Sequence, residues 1–197
     1  MTVSEFLLFI ENKGYESNVF WKSGGFGLFD EPEGWADQLA HKNRPVVGVS
    51  WFEAMAFCDW AAIRLPTESE WERVARGSSA RKYPWGSEPP DTTHLNSDMK
   101  IGSPTPVGIF PVGATNDGVE DMAGNVWEWC CDCDGPYSEY PQINPTGPIS
   151  GDSKILRGGS WESNSRLARS AFRHRNSPFY RSATIGFRVV SLIQGTK

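Results

Sequence analysis

The stretch Arg157–Arg188 reads RGGSWESNSRLARSAFRHRNSPFYRSATIGFR, and the rest of the chain is read outward from it. Its two ends have the composition of a frame. Arg157-Gly158-Gly159-Ser160-Trp161 opens it, and Ile185-Gly186-Phe187-Arg188 closes it and runs on into Val189-Val190. Between these ends Arg166, Arg169, Arg173, Arg175 and Arg181 recur among small, aromatic and amide side chains. Seven arginines against one acid, Glu162, put the stretch at +6. The whole chain is −5, so the remainder totals −11 and a basic, loop-like segment sits on an acidic body.

With 197 residues the chain is long enough to bury a substantial core and reads as one domain over 1–197. Nine Trp, eleven Phe and five Tyr stand beside twenty Gly and fourteen Pro, which points to a loop-rich fold pinned by aromatic anchors. The net negative charge argues against a nucleic-acid partner, while the local +6 keeps an acidic protein partner in view. MTVSEFLLFIENKGY lacks a basic leader followed by a long apolar run, so no signal peptide is read and a cytoplasmic location is expected. No stretch approaches the roughly 18 apolar residues of a membrane span. Cys130, Cys131 and Cys133 crowd into four positions, with Cys58 far off, which suits reduced thiols better than a disulfide framework or a paired zinc site.

Three helix starts carry a mechanism. Thr2/Glu5, Ser50/Glu53 and Thr67/Glu70 each have the spacing of a capping box, in which a hydroxyl and a carboxylate satisfy each other's end amides. They predict helices from Val3 toward Gly14, from Trp51 to about Ala62 and from Glu68 to about Arg76. Pro45–Val49, Thr105–Phe110, Val126–Trp129, Ile155–Arg157 and Ile185–Ser191 read as short strands. Residues 15–44 and 83–111 are otherwise irregular, and Trp21 and Trp35 are expected to pack the first of these loops down. The fold class is therefore α+β: a few helices on a small, mainly antiparallel sheet, with more than half the chain irregular.

The frame motifs, with Arg169-Ser170-Ala171-Phe172-Arg173 between them, resemble the C-terminal signature of the formylglycine-generating-enzyme (sulfatase-modifying-factor) family. Leu65-Pro66-Thr67-Glu68-Ser69-Glu70-Trp71-Glu72 and Asp121-Met122-Ala123-Gly124-Asn125-Val126-Trp127-Glu128-Trp129 resemble its other two signatures. Three ordered motifs are a specific match. The resemblance implies a C-type-lectin-like fold. It also implies an N-terminal strand and hairpin that this sequence lacks, as a trimmed version or a fragment of a larger protein would. The active enzymes hold copper between two cysteines, and those positions fall on Ser163 and Ala168, neither of which supplies a thiolate. No catalytic residue or catalytic cofactor is expected. A copper- or iron-dependent oxidoreductase using non-standard residues is the alternative. The resemblance also implies two structural calcium sites, one at Asp121, Gly124, Val126 and Glu128, the other at Asn96 and Ser97. Hard oxygen ligands on a tight turn suit that ion.

A non-enzymatic branch of the family, the variable proteins of diversity-generating retroelements, resembles this chain more closely in its contents. There, adenine-directed mutagenesis of Asn codons reaches fifteen amino acids but not Lys, Glu, Gln, Met or Trp. The 26 residues from Ser163 to Arg188 contain none of those five. The soft positions implied as a binding surface are Ser163, Asn164, Ser165, Leu167, Phe172, His174, Asn176, Ser177, Phe179, Tyr180, Ser182, Ala183 and Thr184. Phe172, Phe179 and Tyr180 supply stiff contact area and the Ser, Asn and Thr side chains supply adaptable hydrogen bonds, a mixture suited to recognition. Those three aromatics are expected at the surface, whereas Trp161, Phe187, Arg157 and Arg188 are expected in the core.

Overall fold

A computed structural model describes residues 1–191, so the polar tail expected from Gln194 lies outside the described residues. All three capping boxes form and open the helices predicted from them. Helix α1 (Val3–Glu11) has Glu5 N–H donating to Thr2 Oγ1 (3.3 Å) and Thr2 N–H to Glu5 Oε2 (2.8 Å). The short α2 (Trp35–Gln38) was not predicted and buries Trp35. Helices α3 (Trp51–Ala61) and α4 (Glu68–Arg76) repeat the reciprocal cap with Ser50/Glu53 and Thr67/Glu70.

Four strands make one sheet in the order β3-β2-β1-β4: β1 is Trp127–Cys133, β2 Lys154–Arg157, β3 Arg173–Asn176 and β4 Ile185–Gly186. The β1/β2 and β2/β3 pairs are antiparallel, and β4 joins β1 in parallel. The sheet is thus mixed, although most of its pairing is antiparallel as expected. Strand alternation splits the core into two layers. Trp127, Trp129 and Leu156 face a cluster with Phe6, Phe9, Phe57 and Phe187, while Cys130 and Ile155 face Trp71, Ala75 and Met122.

Two predicted strands do not form. Pro45–Val49 is buried and extended, but only Pro45 makes a bridge, to Thr2, and Gly48 turns the chain at φ 68°. Thr105–Phe110 is held by side chains instead of a ladder: Thr105 N–H donates to Asn125 Oδ1 (2.9 Å) and Gly108 N–H to Asp121 Oδ2 (2.7 Å). The predicted last strand is cut to Ile185–Gly186 plus an isolated bridge from Val190 to Arg64. Gly186 has a reason to be glycine, since a Cβ there would lie 2.5 Å from the Val46 carbonyl oxygen. Trp21 and Trp35 are both buried, so both pack down the first loop, and Trp21 Nε1 donates to Gly14 O (2.8 Å).

Candidate ligand-binding surface

The soft positions lie on the edge strand β3 and on the loops flanking it, arranged around Trp127 and the start of α3. Phe172 and His174 lie beside the Trp127 ring at centroid distances of 6.0 and 5.2 Å. Thr184 takes the Trp127 backbone N–H on its carbonyl (2.8 Å), and Ala183 takes Trp161 Nε1 (3.2 Å). Ser182 and Thr184 share a hydroxyl hydrogen bond (2.9 Å). The turn after β3 is closed locally by Asn176 Oδ1 accepting from Ser177 N–H (2.9 Å) and by Tyr180 N–H donating to Ser177 O (3.0 Å). Phe179 then packs tilted against Phe52 (4.9 Å between ring centroids), and Pro178 O accepts the Trp51 N–H at the head of α3 (3.1 Å).

At the other end, Asn164 caps a 3₁₀ turn over Ser165–Ala168 by accepting from Arg166 N–H (3.0 Å). Ser165 N–H reaches Asp98 Oδ1 (3.3 Å), and Leu167 is half-buried against the core. Phe179 and Tyr180 are exposed, at 53% and 47%. Phe172 differs from the expectation: it is half-buried, because the Trp127 ring draws it under the strand. His174 is exposed, and burial of its ring and then Arg175 lower its pKa, so it is neutral at pH 7.

The frame around these residues is stiff. Arg157 is fully buried and donates to Glu68 Oε1 (3.2 Å), Glu72 Oε2 (2.6 Å) and Ser170 O (2.7 Å). Phe187 is buried as expected, whereas Trp161 and Arg188 are half-buried. The +6 of the stretch is largely cancelled in space. Arg173 pairs with Glu68 and Asp134, Arg175 with Asp134, Arg181 with Glu53 and Arg188 with Glu128. With Arg157, five of the seven arginines have a carboxylate partner, so most of the charge that suggested an acidic partner is already neutralised.

At the two positions that the resemblance matches to the family's cysteines, Ser163 Oγ is 2.9 Å from Ser160 Oγ and also accepts the Ser160 N–H (3.1 Å), and Ala168 is buried. The real cysteines lie elsewhere. Cys133 sits at the far end of β1, about 20 Å along the strand from Trp127 at ~3.3 Å per residue. Burial pushes Cys58 and Cys131 up to about 12 and Cys130 higher still. Among the described residues no three His, Cys, Asp or Glu side chains converge as a metal cage.

The two turns expected to hold calcium differ in what their oxygens do. Both carboxylate oxygens of Glu128 are engaged, by Arg188 Nε (2.6 Å) and Nη2 (2.8 Å) and by Trp71 Nε1 (2.6 Å). Arg188 Nη2 also donates to the Asp121 carbonyl (3.0 Å), so a guanidinium neutralises this turn. Gly124 and Val126 lie on the same turn, and Val126, Asp121 and Glu128 line a 300 Å³ cavity beside it. At the second turn Ser97 hydrogen-bonds Asp98 (3.0 Å), while Asn96 Oδ1 is buried without a hydrogen-bond partner among the described residues, which leaves a hard oxygen donor free.

Sequence reasoning did not single out Phe52, which packs against Phe179, nor the loop after Gly25 that carries exposed Phe26 and Leu28. Phe52 lies under Phe179 and against Gly25. The available signal was Gly24-Gly25-Phe26-Gly27-Leu28, a run too glycine-rich to bury its apolar side chains in a helix or strand. A 950 Å³ cleft lies elsewhere, between α4 and residues 135–148, lined by Glu68, Arg73, Arg76, Tyr137 and Arg173 among others. No helix among the described residues is long and apolar enough to cross a membrane.

The comparisons with known proteins bear on the family and the fold. The hercynine oxygenase of Mycolicibacterium thermoresistibile is 35% identical over 216 residues, covering 96% of this chain and 48% of that protein. The formylglycine-generating enzyme of Streptomyces coelicolor is 39% identical over 176 residues, covering 80% of this chain and 56% of that one. The chain therefore spans about half the length of these relatives. Among solved structures, Treponema denticola variable protein 1 superposes with a TM-score of 0.67 at 24% identity, over 75% of this chain and 71% of that one, which establishes a shared fold. The sulfatase-modifying factor enzyme 1-like domain profile matches residues 1–193, so the two-layer fold, the frame motifs and the relatives converge: this chain belongs to the sulfatase-modifying factor enzyme 1-like domain family.

Proposed function

We propose that this domain is a ligand-binding module without the family's copper chemistry, which recognises a protein through the soft positions on β3 and its flanking loops. The observation that carries this reading is the pairing of exposed Phe179 and Tyr180 with a clamped frame. Large aromatic side chains in water are costly unless something covers them, and rigid anchors lose little entropy when they are covered. Ser163 and Ala168 support the reading, because a hydroxyl hydrogen-bonded to Ser160 and a methyl group supply no soft ligand for Cu(I). Diversification of the gene by a retroelement fits the absence of Lys, Glu, Gln, Met and Trp from 163–188. A near-copy of those codons differing only at adenines would establish it.

The binding test is capture from the native cell lysate, quantified for the wild-type chain against His174→Ala/Phe179→Ala/Tyr180→Ala. Partners that vanish with the triple variant, at unchanged melting temperature, are the expected result. An identical captured set would sink the reading.

A second reading is favoured by one finding, the 35–39% identity to two enzymes. It is a copper- or iron-dependent oxidoreductase of the family working with other residues. Oxygen uptake with a thiol substrate after loading with Cu(I) or Fe(II), lost in Ser163→Ala, would establish it. A structural calcium ion belongs to the proposal only at Asn96 and Ser97, where the free Asn96 Oδ1 supports it.

A further inference from the structure

The exposed apolar surface does not stop at the soft positions. Phe179 packs against Phe52, and Gly25 approaches Phe52 so closely that a Cβ on Gly25 would lie 2.6 Å from the Phe52 Cβ. The segment that follows Gly25 carries Phe26 and Leu28, exposed at 45% and 52%. Phe26 and Leu28 on one loop and Phe179 and Tyr180 on the other are thus exposed apolar side chains of two loops that meet at Phe52. The loops are tied together by Arg181, whose Nη2 donates to Glu31 O (2.6 Å) and whose guanidinium lies 4.3 Å over the Phe29 ring. Gly48 joins the same two segments, accepting from Glu33 N–H (2.9 Å) and donating to Ser182 O (2.9 Å). Exposed apolar side chains gathered where two loops meet offer contact area to a partner.

The charge on the first of these loops is negative. From Phe26 to Asp37 the sequence holds Asp30, Glu31, Glu33 and Asp37 and no Lys or Arg. All four are exposed, and among the described residues none of their carboxylates is in an ion pair. The bases within reach are committed elsewhere. Lys22 pairs with Asp59 (3.1 Å), and Arg181 is turned to backbone carbonyls and to buried Glu53 (3.6 Å). An incoming acidic segment would therefore meet uncompensated like charge, and a basic one would meet opposite charge.

We infer that this two-loop patch, taken as part of the binding surface proposed above, receives a basic protein segment that lays an aromatic or aliphatic side chain against Phe26, Phe52 and Phe179. The buried anchor supplies the affinity, and the acid run supplies attraction at a distance and selection among partners.

The probe is a displayed library of random peptides, panned on the immobilised chain. Enriched peptides are then synthesised and titrated against three chains: wild type, Phe26→Ser/Phe179→Ser, and Asp30→Asn/Glu31→Gln/Glu33→Gln/Asp37→Asn. The expected result is enrichment of Lys or Arg flanking an aromatic or aliphatic residue. Affinity should fall at least ~10-fold in each variant at low salt, and the gap between wild type and the neutralised variant should close at about 1 M salt, where charges are screened beyond ~3 Å. Enriched acidic peptides that depend on the soft positions would overturn this inference and leave the binding reading standing. Basic peptides indifferent to the four neutralised acids would do the same. Enrichment of nothing above a blank surface would overturn both. Sedimentation of the chain alone covers the remaining occupant: a dimer lost in Phe26→Ser/Phe179→Ser would replace the basic partner with a second copy.

Discussion

Arg157 shows what a count of charges cannot say. By sequence it is one of seven arginines in a basic stretch, yet its guanidinium is buried between Glu68 and Glu72, one helical turn apart on α4, and the Ser170 carbonyl. Removing one partner of a buried ion pair strands the other, which typically costs about 3–5 kcal/mol. Arg157→Met is therefore expected to lower stability by about that much, and Arg157→Lys to recover only part of it, because an ammonium cannot reproduce the planar fork. Urea unfolding measures both, and a loss below about 1 kcal/mol for the methionine variant would show that the network is not a support. Asn96 is the converse case, a buried residue with an oxygen left over. If calcium binds there, adding it at about 100 times its dissociation constant raises wild-type stability by about 2.7 kcal/mol, and Asn96→Ala abolishes the rise. No rise in the wild type would rule the site out.

Helix starts were legible because a capping box is local, and the expected outcome of breaking one is equally local. Thr67→Ala should cost about 1 kcal/mol of unfolding free energy. Glu70 closes the same box while Arg64 grips its carboxylate at 2.6 and 2.7 Å, and that contact, foremost, pulls its pKa down to about 2. A depressed carboxylate stabilises the folded state above its unfolded pKa, near 4.5, and that contribution is lost as pH falls through the folded value near 2. Acid titration of the unfolding midpoint should show this loss in the wild type, reduced in Glu70→Gln. An unchanged slope in the variant would refute the assignment. Strands were less legible. Edge strand β3 was read as loop because Arg173-His174-Arg175-Asn176 has no apolar alternation. Its alternation is ionic against aromatic: Arg173 and Arg175 turn to Asp134, and His174 turns to Trp127. Pro45–Val49 and Thr105–Phe110 failed in the opposite sense. Pro45–Val49 is buried as a strand would be, whereas Thr105–Phe110 exposes Val107 and Ile109 around a turn at Gly108 (φ 75°); the amides of both are met by single tethers such as Asn125 Oδ1, which leave no periodic trace in a sequence.

At the scale of the whole molecule, the proposed function gives the frame and its contents different tasks, and this separation is itself testable. The frame motifs were recognisable because packing fixes them: Phe187 is buried among Phe6 and Phe57, at 6.2 and 5.5 Å between ring centroids. The soft positions were recognisable only by what they lack, and the second wall at Phe26 and Leu28 was missed because it depends on a contact through Phe52 far away in sequence. If stability resides in the frame, replacing His174, Ser177, Phe179, Tyr180 and Ala183 together with serine or alanine should be cheap. Exposed substitutions away from special contacts each fall within about 0.5 kcal/mol. The Phe179–Phe52 pair adds about 0.5–1.5 kcal/mol more. Phe187→Ala alone, by contrast, should cost about 3–5 kcal/mol by emptying a packed site. Paired denaturation curves with unchanged slopes decide the matter. If the surface replacement costs more than about 4 kcal/mol, the sum of those upper limits, those side chains are core, and both the binding surface and its basic partner fall with them.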